Sequence, residues 1–73
     1  MGECPFCKQG SLVPARERST GHEYILCDEC ECEWEDPELA SNSLNASNGK
    51  YGASDLLTNE DLINHVWLPF FKI

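Results

Sequence analysis

Positive charge is scarce in this 73-residue chain, which has five lysines and arginines against thirteen aspartates and glutamates. The formal net charge is therefore −8. A surface of this sign repels phosphate backbones, and nucleic-acid-binding domains ordinarily carry a basic patch. The charge favours a basic protein partner over nucleic acid. Lys8, Arg16 and Arg18 form a small basic cluster, which leaves a nucleic-acid- or transcription-associated protein as the alternative.

Long apolar runs are also missing. The longest, residues 66–73, is interrupted by Pro69 and is too short for a bilayer, which a helix of about 20 residues spans. The sequence before Cys4 has none of the charged, apolar and cleavage regions of a secretory signal. We therefore expect a cytoplasmic protein without a membrane segment, in which the cysteines stay reduced.

The supply of core residues is small as well. Apolar residues make up 41% of the chain, and a core in a chain of this length rarely supplies more than about 3–5 kcal/mol. Such domains need disulfides, a metal ion or a partner to stay folded. Reduced cysteines leave the metal ion as the expected source of stability, and the chain has five of them.

Four of the cysteines form a doubled Cys-x-x-Cys pattern, in which Cys4 and Cys7 are separated by nineteen residues from Cys27 and Cys30. Each turn of this kind holds two sulfurs on one side of a metal ion, and two turns joined by a hairpin complete a tetrahedron. We predict that Cys4, Cys7, Cys27 and Cys30 bind one structural Zn²⁺. Iron in a four-thiolate site and a redox-active Cys-x-x-Cys pair rank below zinc.

The remaining reactive residues do not indicate an enzyme. Cys32 alternates with Trp34 along a predicted strand, so we expect it to pack inward as a small apolar residue. Four thiolates fill the zinc shell and leave no position for an activated water. His22 and His65 are isolated in the sequence and accompany no nucleophile motif. We expect no enzymatic activity.

The first half of the chain is predicted to form about three antiparallel strands, at residues 11–18, 23–26 and 31–36. Pro14 lacks an amide hydrogen, so it should lie on an edge or at a bulge.

The third strand alternates acidic and apolar residues. Glu31, Glu33 and Glu35 should share an exposed face, which we call the acidic stripe, opposite Cys32 and Trp34. We predict that the acidic stripe is the binding surface for a basic partner.

Residues 38–73 are predicted to form a polar loop, one helix and an apolar tail that pack on the ribbon of residues 1–37 as one domain. Thr58 is placed to cap the helix at Asp61. The apolar face of this helix is predicted to consist of Leu62, Ile63, Val66 and Trp67. Pro69 should end the helix near residue 68. A short β segment is also expected at residues 50–53.

The residues Cys4-Pro5-Phe6-Cys7-Lys8-Gln9-Gly10-Ser11-Leu12 and Tyr24-Ile25-Leu26-Cys27-Asp28-Glu29-Cys30 resemble bacterial zinc ribbons. In particular, the first run is similar to the Cys-Pro-x-Cys-x-x-Gly ribbon of MqsA-like antitoxins. The run from Cys27 to Pro37 is similar to stand-alone ribbon proteins, some of which act as immunity or antitoxin partners. The resemblance covers residues 3–37.

The resemblance implies a small zinc-stabilised β fold, a zinc ribbon with one C-terminal helix. It also implies a non-enzymatic, immunity- or antitoxin-type inhibitor of a basic, nuclease-like partner. The chain departs from the family pattern in two ways. Only one helix is predicted after the ribbon, where MqsA-like antitoxins have a DNA-binding helix-turn-helix, so DNA binding does not carry over. Lys8 and Glu31 stand where many ribbons have glycine after the second cysteine.

Overall fold

The computed structural model describes residues 2–71, which form a four-stranded antiparallel sheet and several short helical segments. The strands are β1 (Leu12–Glu17), β2 (Glu23–Cys27), β3 (Glu33–Trp34) and β4 (Ser54–Leu56), in the spatial order β3-β2-β1-β4. Two 3₁₀ turns, Leu39–Ser41 and Ser43–Asn45, precede β4, and the helices α1 (Asn59–Leu62) and α2 (Leu68–Phe71) follow it. The antiparallel sheet is confirmed: the three strands predicted in the first half of the chain are joined by β4 from the second half.

The register of the sheet separates its two faces. Leu12 is opposite Cys27, and Ile25 is opposite Trp34. Because side chains alternate along a strand, these four residues share one face, which we call the core face. The other face carries Ala15 opposite Tyr24 and Leu26 opposite Glu33, and we call it the loop face.

The hydrophobic core lies on the core face and draws residues from both halves of the chain. Its buried members are Cys4, Leu12, Ile25, Cys27, Cys32, Trp34, Ala40, Leu57, Leu62 and Trp67. Trp34 is the largest of its fully buried side chains, and its indole Nε1 donates a hydrogen bond to the carbonyl of Asn42 at 3.0 Å. Cys32 lies in this cluster, as its alternation with Trp34 predicted.

Pro14 does not lie on an edge, because β1 is an inner strand of the sheet. Its carbonyl accepts a hydrogen bond from the amide of Leu57 at 3.0 Å, just beyond the last residue of β4. In an antiparallel ladder a residue directs its N–H and C=O to the same neighbour. The backbone of Pro14 therefore faces the β4 side, where the β1–β4 ladder ends. The lack of an N–H at Pro14 removes no hydrogen bond between β1 and β2.

The acidic stripe is not a single exposed face, and the predicted exposure of Glu33 is wrong. Glu31 and Glu35 are exposed, but Glu33 is only 4% exposed. The loop of residues 47–51 covers it. The Glu33 carboxylate accepts hydrogen bonds from the Ser47 hydroxyl at 3.1 Å, the Lys50 amide at 3.0 Å and the Tyr51 amide at 3.4 Å. These donors compensate for the burial of the carboxylate.

The single predicted C-terminal helix is replaced by two four-residue helices. The predicted cap is present, because the Thr58 hydroxyl accepts a hydrogen bond from the Asp61 amide at 3.2 Å. Beyond α1 the chain turns at His65, whose Nδ1 accepts a hydrogen bond from the amide of Trp67 at 3.0 Å. Leu62 and Trp67 are consequently buried, while Ile63 and Val66 of the predicted apolar face are 63% and 80% exposed.

Two smaller differences concern the second half of the chain. Pro69 is the second residue of α2, where a helix needs no N–H. The expected β segment at residues 50–53 lies later, as β4. The end of the predicted apolar tail, residues 72–73, lies outside the described residues. Within residues 2–71, no helix has the length and apolar character needed to cross a bilayer.

Candidate metal centre

The first Cys-x-x-Cys turn, residues 4–7, precedes β1 and is shaped by its own backbone. The Cys4 amide donates to the Gly10 carbonyl at 2.9 Å, and the Lys8 amide donates to the Cys4 carbonyl at 3.0 Å. Two further amides point at sulfur: Phe6 N–H to Cys4 Sγ and Gly10 N–H to Cys7 Sγ, each at 3.4 Å. Both sulfurs are thus placed on one side of the turn with donors directed at them.

The second turn, residues 27–30, follows β2 and is also shaped by its own backbone, with its sulfur-directed amides both pointing at Cys27. The Cys27 amide donates to the Cys32 carbonyl at 2.9 Å. The amides of Glu29 and Cys30 both lie 3.4 Å from Cys27 Sγ. N–H groups directed at sulfur stabilise the thiolate form that a metal ion requires.

Left-handed residues end both turns, at the two positions where many ribbons have glycine. Lys8 has φ 59° and Glu31 has φ 62°. Both side chains are exposed, so the left-handed conformation buries neither charge. Lys8 and Glu31 therefore adopt the left-handed conformation that glycine adopts most readily.

The β1–β2 hairpin brings the two turns together. The Sγ atoms of Cys4, Cys7, Cys27 and Cys30 all lie within 4.8 Å of one another. Cys4 Sγ lies 3.7 Å from Cys30 Sγ, and Cys7 Sγ lies 3.6 Å from Cys27 Sγ. These distances are too long for a disulfide bond. Each close pair joins one turn to the other, so both turns are needed to form the cluster.

The cluster fits a tetrahedral ion bound by four thiolates. With metal–sulfur bonds of about 2.3 Å, the sulfurs of a zinc tetrahedron stand roughly 3.8 Å apart. The two sulfur pairs that join the turns, at 3.7 and 3.6 Å, nearly match this spacing, and all four sulfurs lie within 4.8 Å of one another. Cys4 and Cys27 are buried and Cys7 and Cys30 are half-buried, so the ion would lie at the boundary between the core and solvent. The fold brings all four predicted cysteine ligands together.

Gly10 lies where the two turns contact each other, and it was not among the predicted site residues. A methyl group on Gly10 would lie 2.6 Å from Cys27 Sγ, 2.8 Å from Asp28 Oδ1 and 2.8 Å from Glu29 Cβ. The Asp28 carboxylate also accepts a hydrogen bond from the Ser11 amide at 2.8 Å. The indication in the sequence was that Gly10 is the glycine of the Cys-Pro-x-Cys-x-x-Gly pattern.

We expect Gly10→Ala to weaken metal binding strongly, because the added methyl group forces Cys27 Sγ out of the cluster. Overpacking of this kind costs about 1–3 kcal/mol, which corresponds to a loss of roughly tenfold to one-hundredfold in metal affinity. Competition with a chromophoric chelator measures the change. Gly2→Ala is the matched control, since a methyl group there meets no atom within 4 Å. Equal metal affinity in both variants would contradict the close contact at Gly10.

The thiols differ in acidity. Hydrogen bonds from the backbone amides of Gln9 and Gly10 lower the pKa of Cys7 to about 6. Burial raises the pKa of the Cys27 thiol, and it raises that of Cys30 to about 11. A metal ion binds thiolates and displaces their protons. At neutral pH the ion must therefore remove protons at least from Cys27 and Cys30, so metal binding should weaken as the pH falls.

The histidines lie away from this cluster. His65 Nε2 is 2.7 Å from the Glu23 carboxylate, and His22 stacks on the Tyr51 ring with centroids 5.1 Å apart. Neither belongs to the group of side chains that could hold a metal ion within residues 2–71. Of the acidic stripe, Glu35 lies 3.6 Å from the Lys50 ammonium, while Glu31 makes no ion pair within the described part of the chain.

Comparison with known proteins adds no family to this description. No family model matches the chain, and neither a curated protein nor a solved structure matches it. The resemblance to MqsA-like antitoxin ribbons therefore stays a prediction.

Proposed function

We propose that this protein is a non-enzymatic interaction module, built around one structural Zn²⁺, that binds and inhibits a basic protein. The observation that carries the metal assignment is the spacing of the four cysteine sulfurs. Four thiolates fill a zinc tetrahedron, and filled shells are typical of structural rather than catalytic zinc. The residues that would hold the ion are Cys4, Cys7, Cys27 and Cys30.

Zinc is favoured over a redox role for the cysteines. A redox-active Cys-x-x-Cys pair needs a thiol of lowered pKa within reach of a partner thiol and of solvent. Cys7 has the lowered pKa, but its sulfur lies 3.6 Å from that of Cys27, which is buried in the other turn, and not in a separate pair with Cys4. Elemental analysis of the purified protein should give about one zinc per chain. Stoichiometric iron would replace zinc as the metal in this proposal.

The distribution of charge supports a basic partner. Among residues 2–71, the lysines and arginines that contact a carboxylate are Arg16 with Glu23 at 2.9 Å, Arg18 with Asp55 at 2.7 Å and Lys50 with Glu35 at 3.6 Å. Two members of the basic cluster are therefore neutralised within the protein, which weakens the nucleic-acid alternative. Several exposed carboxylates make no ion pair in residues 2–71.

The partner surface that we propose differs from the acidic stripe because Glu33 is buried and Glu35 is paired. It consists of Glu29 and Glu31, which are exposed at the second Cys-x-x-Cys turn. Glu31 also borders a cavity of about 380 Å³ on the loop face, whose walls include Tyr24 and Tyr51. No lysine, arginine or histidine lines this cavity. Carboxylate and aromatic groups are suited to a lysine or arginine side chain of a partner.

A nuclease-like toxin is the partner class that we propose. Such enzymes present basic residues to phosphate groups, and a carboxylate surface that occupies those residues blocks the substrate. Complementary charge also accelerates association. The resemblance of residues 3–37 to immunity- and antitoxin-type ribbons supports the same class. The direct test is inhibition of the nuclease activity of a basic protein encoded next to this chain.

We expect the double variant Glu29→Lys/Glu31→Lys to lower the association rate with that partner at low salt by roughly tenfold or more. Lysine is compatible with the left-handed backbone at residue 31, since Lys8 occupies the equivalent position of the first turn. Stopped-flow association at two ionic strengths measures the rate, and metal content confirms that the fold survives.

The double variant Glu38→Lys/Glu60→Lys is the control, because it changes the net charge equally at two other exposed glutamates. Equal slowing in both double variants would show that only the net charge matters. Binding of wild-type protein to DNA or RNA at physiological salt would favour the nucleic-acid alternative instead.

A further inference from the structure

Asn48 connects the loop of residues 47–51 to the candidate metal centre. Its side-chain Nδ2 donates to the backbone carbonyls of Cys30 and Glu31, at 3.4 Å each. Cys30 is one of the four clustered cysteines, and Glu31 is the left-handed residue that ends the second turn. The amide group of Asn48 therefore ties the loop to the backbone of a metal-ligand turn.

Gly49, the next residue, leaves the Asn48 side chain open to attack by the backbone. Both residues are exposed. Gly49 has φ 77°, and no atom lies within 4 Å of the place that a Cβ would take. Its backbone N–H makes no hydrogen bond within the described part of the chain. A glycine nitrogen without a side chain or a hydrogen bond can approach the neighbouring side-chain carbonyl with little hindrance.

We propose that Asn48 is a site of spontaneous deamidation and that the conversion loosens the second Cys-x-x-Cys turn. The Gly49 nitrogen attacks Asn48 Cγ, loses its proton and forms a five-membered succinimide as the side-chain nitrogen leaves as ammonia. Water then opens either carbonyl of the ring and gives aspartate or isoaspartate. The net reaction consumes one water and releases one ammonia, with no oxidation or reduction.

The product cannot keep the contacts of Asn48. A carboxylate has no hydrogen to donate, so the Cys30 and Glu31 carbonyls lose their donor and face a negative charge. The new charge also lines the same cavity as Glu31 and Glu33, and like charges repel. Isoaspartate in addition lengthens the backbone between the Ser47 and Lys50 contacts to Glu33. Each of these changes detaches the loop from the turn that holds Cys27 and Cys30.

The loss of donors should appear as faster release of the metal. Losing two weak hydrogen bonds and adding charge repulsion should make the transfer of the metal to a chromophoric chelator roughly tenfold faster. This part of the inference rests on the proposed zinc site. The deamidation itself does not, so peptide mapping and metal release report on the two proposals separately.

The experiment incubates the zinc-loaded protein at mildly alkaline pH and follows each asparagine by peptide mapping with mass spectrometry. We expect Asn48 to convert at least tenfold faster than Asn45, which is also exposed but precedes an alanine. Asn48→Asp imitates the product and should release zinc faster than wild-type protein, whereas the amide-bearing Asn48→Gln should stay closer to wild type.

Two results would overturn the inference. One is conversion of Asn48 no faster than that of Asn45. The other is a zinc release rate in Asn48→Asp equal to that of wild type, together with unchanged hydrogen exchange at the loop amides of Lys50 and Tyr51. Should the protein contain no metal at all, hydrogen exchange alone decides whether the loop has loosened.

Discussion

We expect a strong chelator, added under reducing conditions, to unfold residues 2–71 cooperatively. Structural zinc contributes about 10–16 kcal/mol of apparent binding free energy in small domains, whereas a core of this size supplies about 3–5 kcal/mol. Cys4 and Cys27 are members of the hydrophobic core as well as of the cluster, so losing the ion removes core contacts and the cross-link together. The fluorescence of Trp34 and Trp67, both buried, should report the loss, and added Zn²⁺ should reverse it.

A pair of serine variants separates the effect of losing the metal from the general effect of replacing a buried cysteine. Cys27→Ser should abolish stoichiometric zinc and leave the chain unfolded at 25 °C. Cys32→Ser is the matched control, because Cys32 is also buried, at 6% exposure, but lies outside the four-sulfur group. It should keep its zinc and lose only packing. Loss of zinc from Cys32→Ser, or a folded Cys27→Ser, would contradict the assigned ligands.

The candidate metal centre could be predicted from the sequence because its geometry is local. Two sulfurs three residues apart fit one tight turn, and a hairpin between two such turns allows few other arrangements. The spacing therefore identified Cys4, Cys7, Cys27 and Cys30 without knowledge of the fold. Gly10 was missed because its role depends on contacts with the other turn, at Cys27 and Asp28, which the local spacing does not reveal.

The errors concern residues whose environment is set by distant parts of the chain. Alternation along residues 31–36 correctly indicated which side chains avoid the core face, but it could not show that residues 47–51 cover the other face. The helix pattern at residues 58–68 likewise failed because the His65 ring bonds to Glu23 in β2 and to the backbone of Trp67. In both places a long-range polar contact replaced the local pattern.

Glu33 offers the clearest test of such a contact, and we expect Glu33→Ala to destabilise the protein by about 3–5 kcal/mol. Hydrogen bonds to a charged acceptor contribute about 1.5–3 kcal/mol each, and three donors lose their acceptor in this variant: the Ser47 hydroxyl and the amides of Lys50 and Tyr51. The loss should be less than the sum of three such bonds, because water reaches the donors once the loop opens. Denaturant unfolding of the zinc-loaded protein measures the change.

Glu35→Ala is the control, since it removes a neighbouring glutamate that is exposed and lies 3.6 Å from Lys50. Exposed ion pairs contribute about 0–1 kcal/mol, so this variant should remain near wild-type stability. Hydrogen exchange adds a local measurement: the amides of Lys50 and Tyr51 should lose protection in Glu33→Ala and keep it in Glu35→Ala. Both variants should still bind about one zinc per chain, because all four clustered cysteines remain. If the two variants have equal stability and protection, the buried Glu33 carboxylate does not hold this loop.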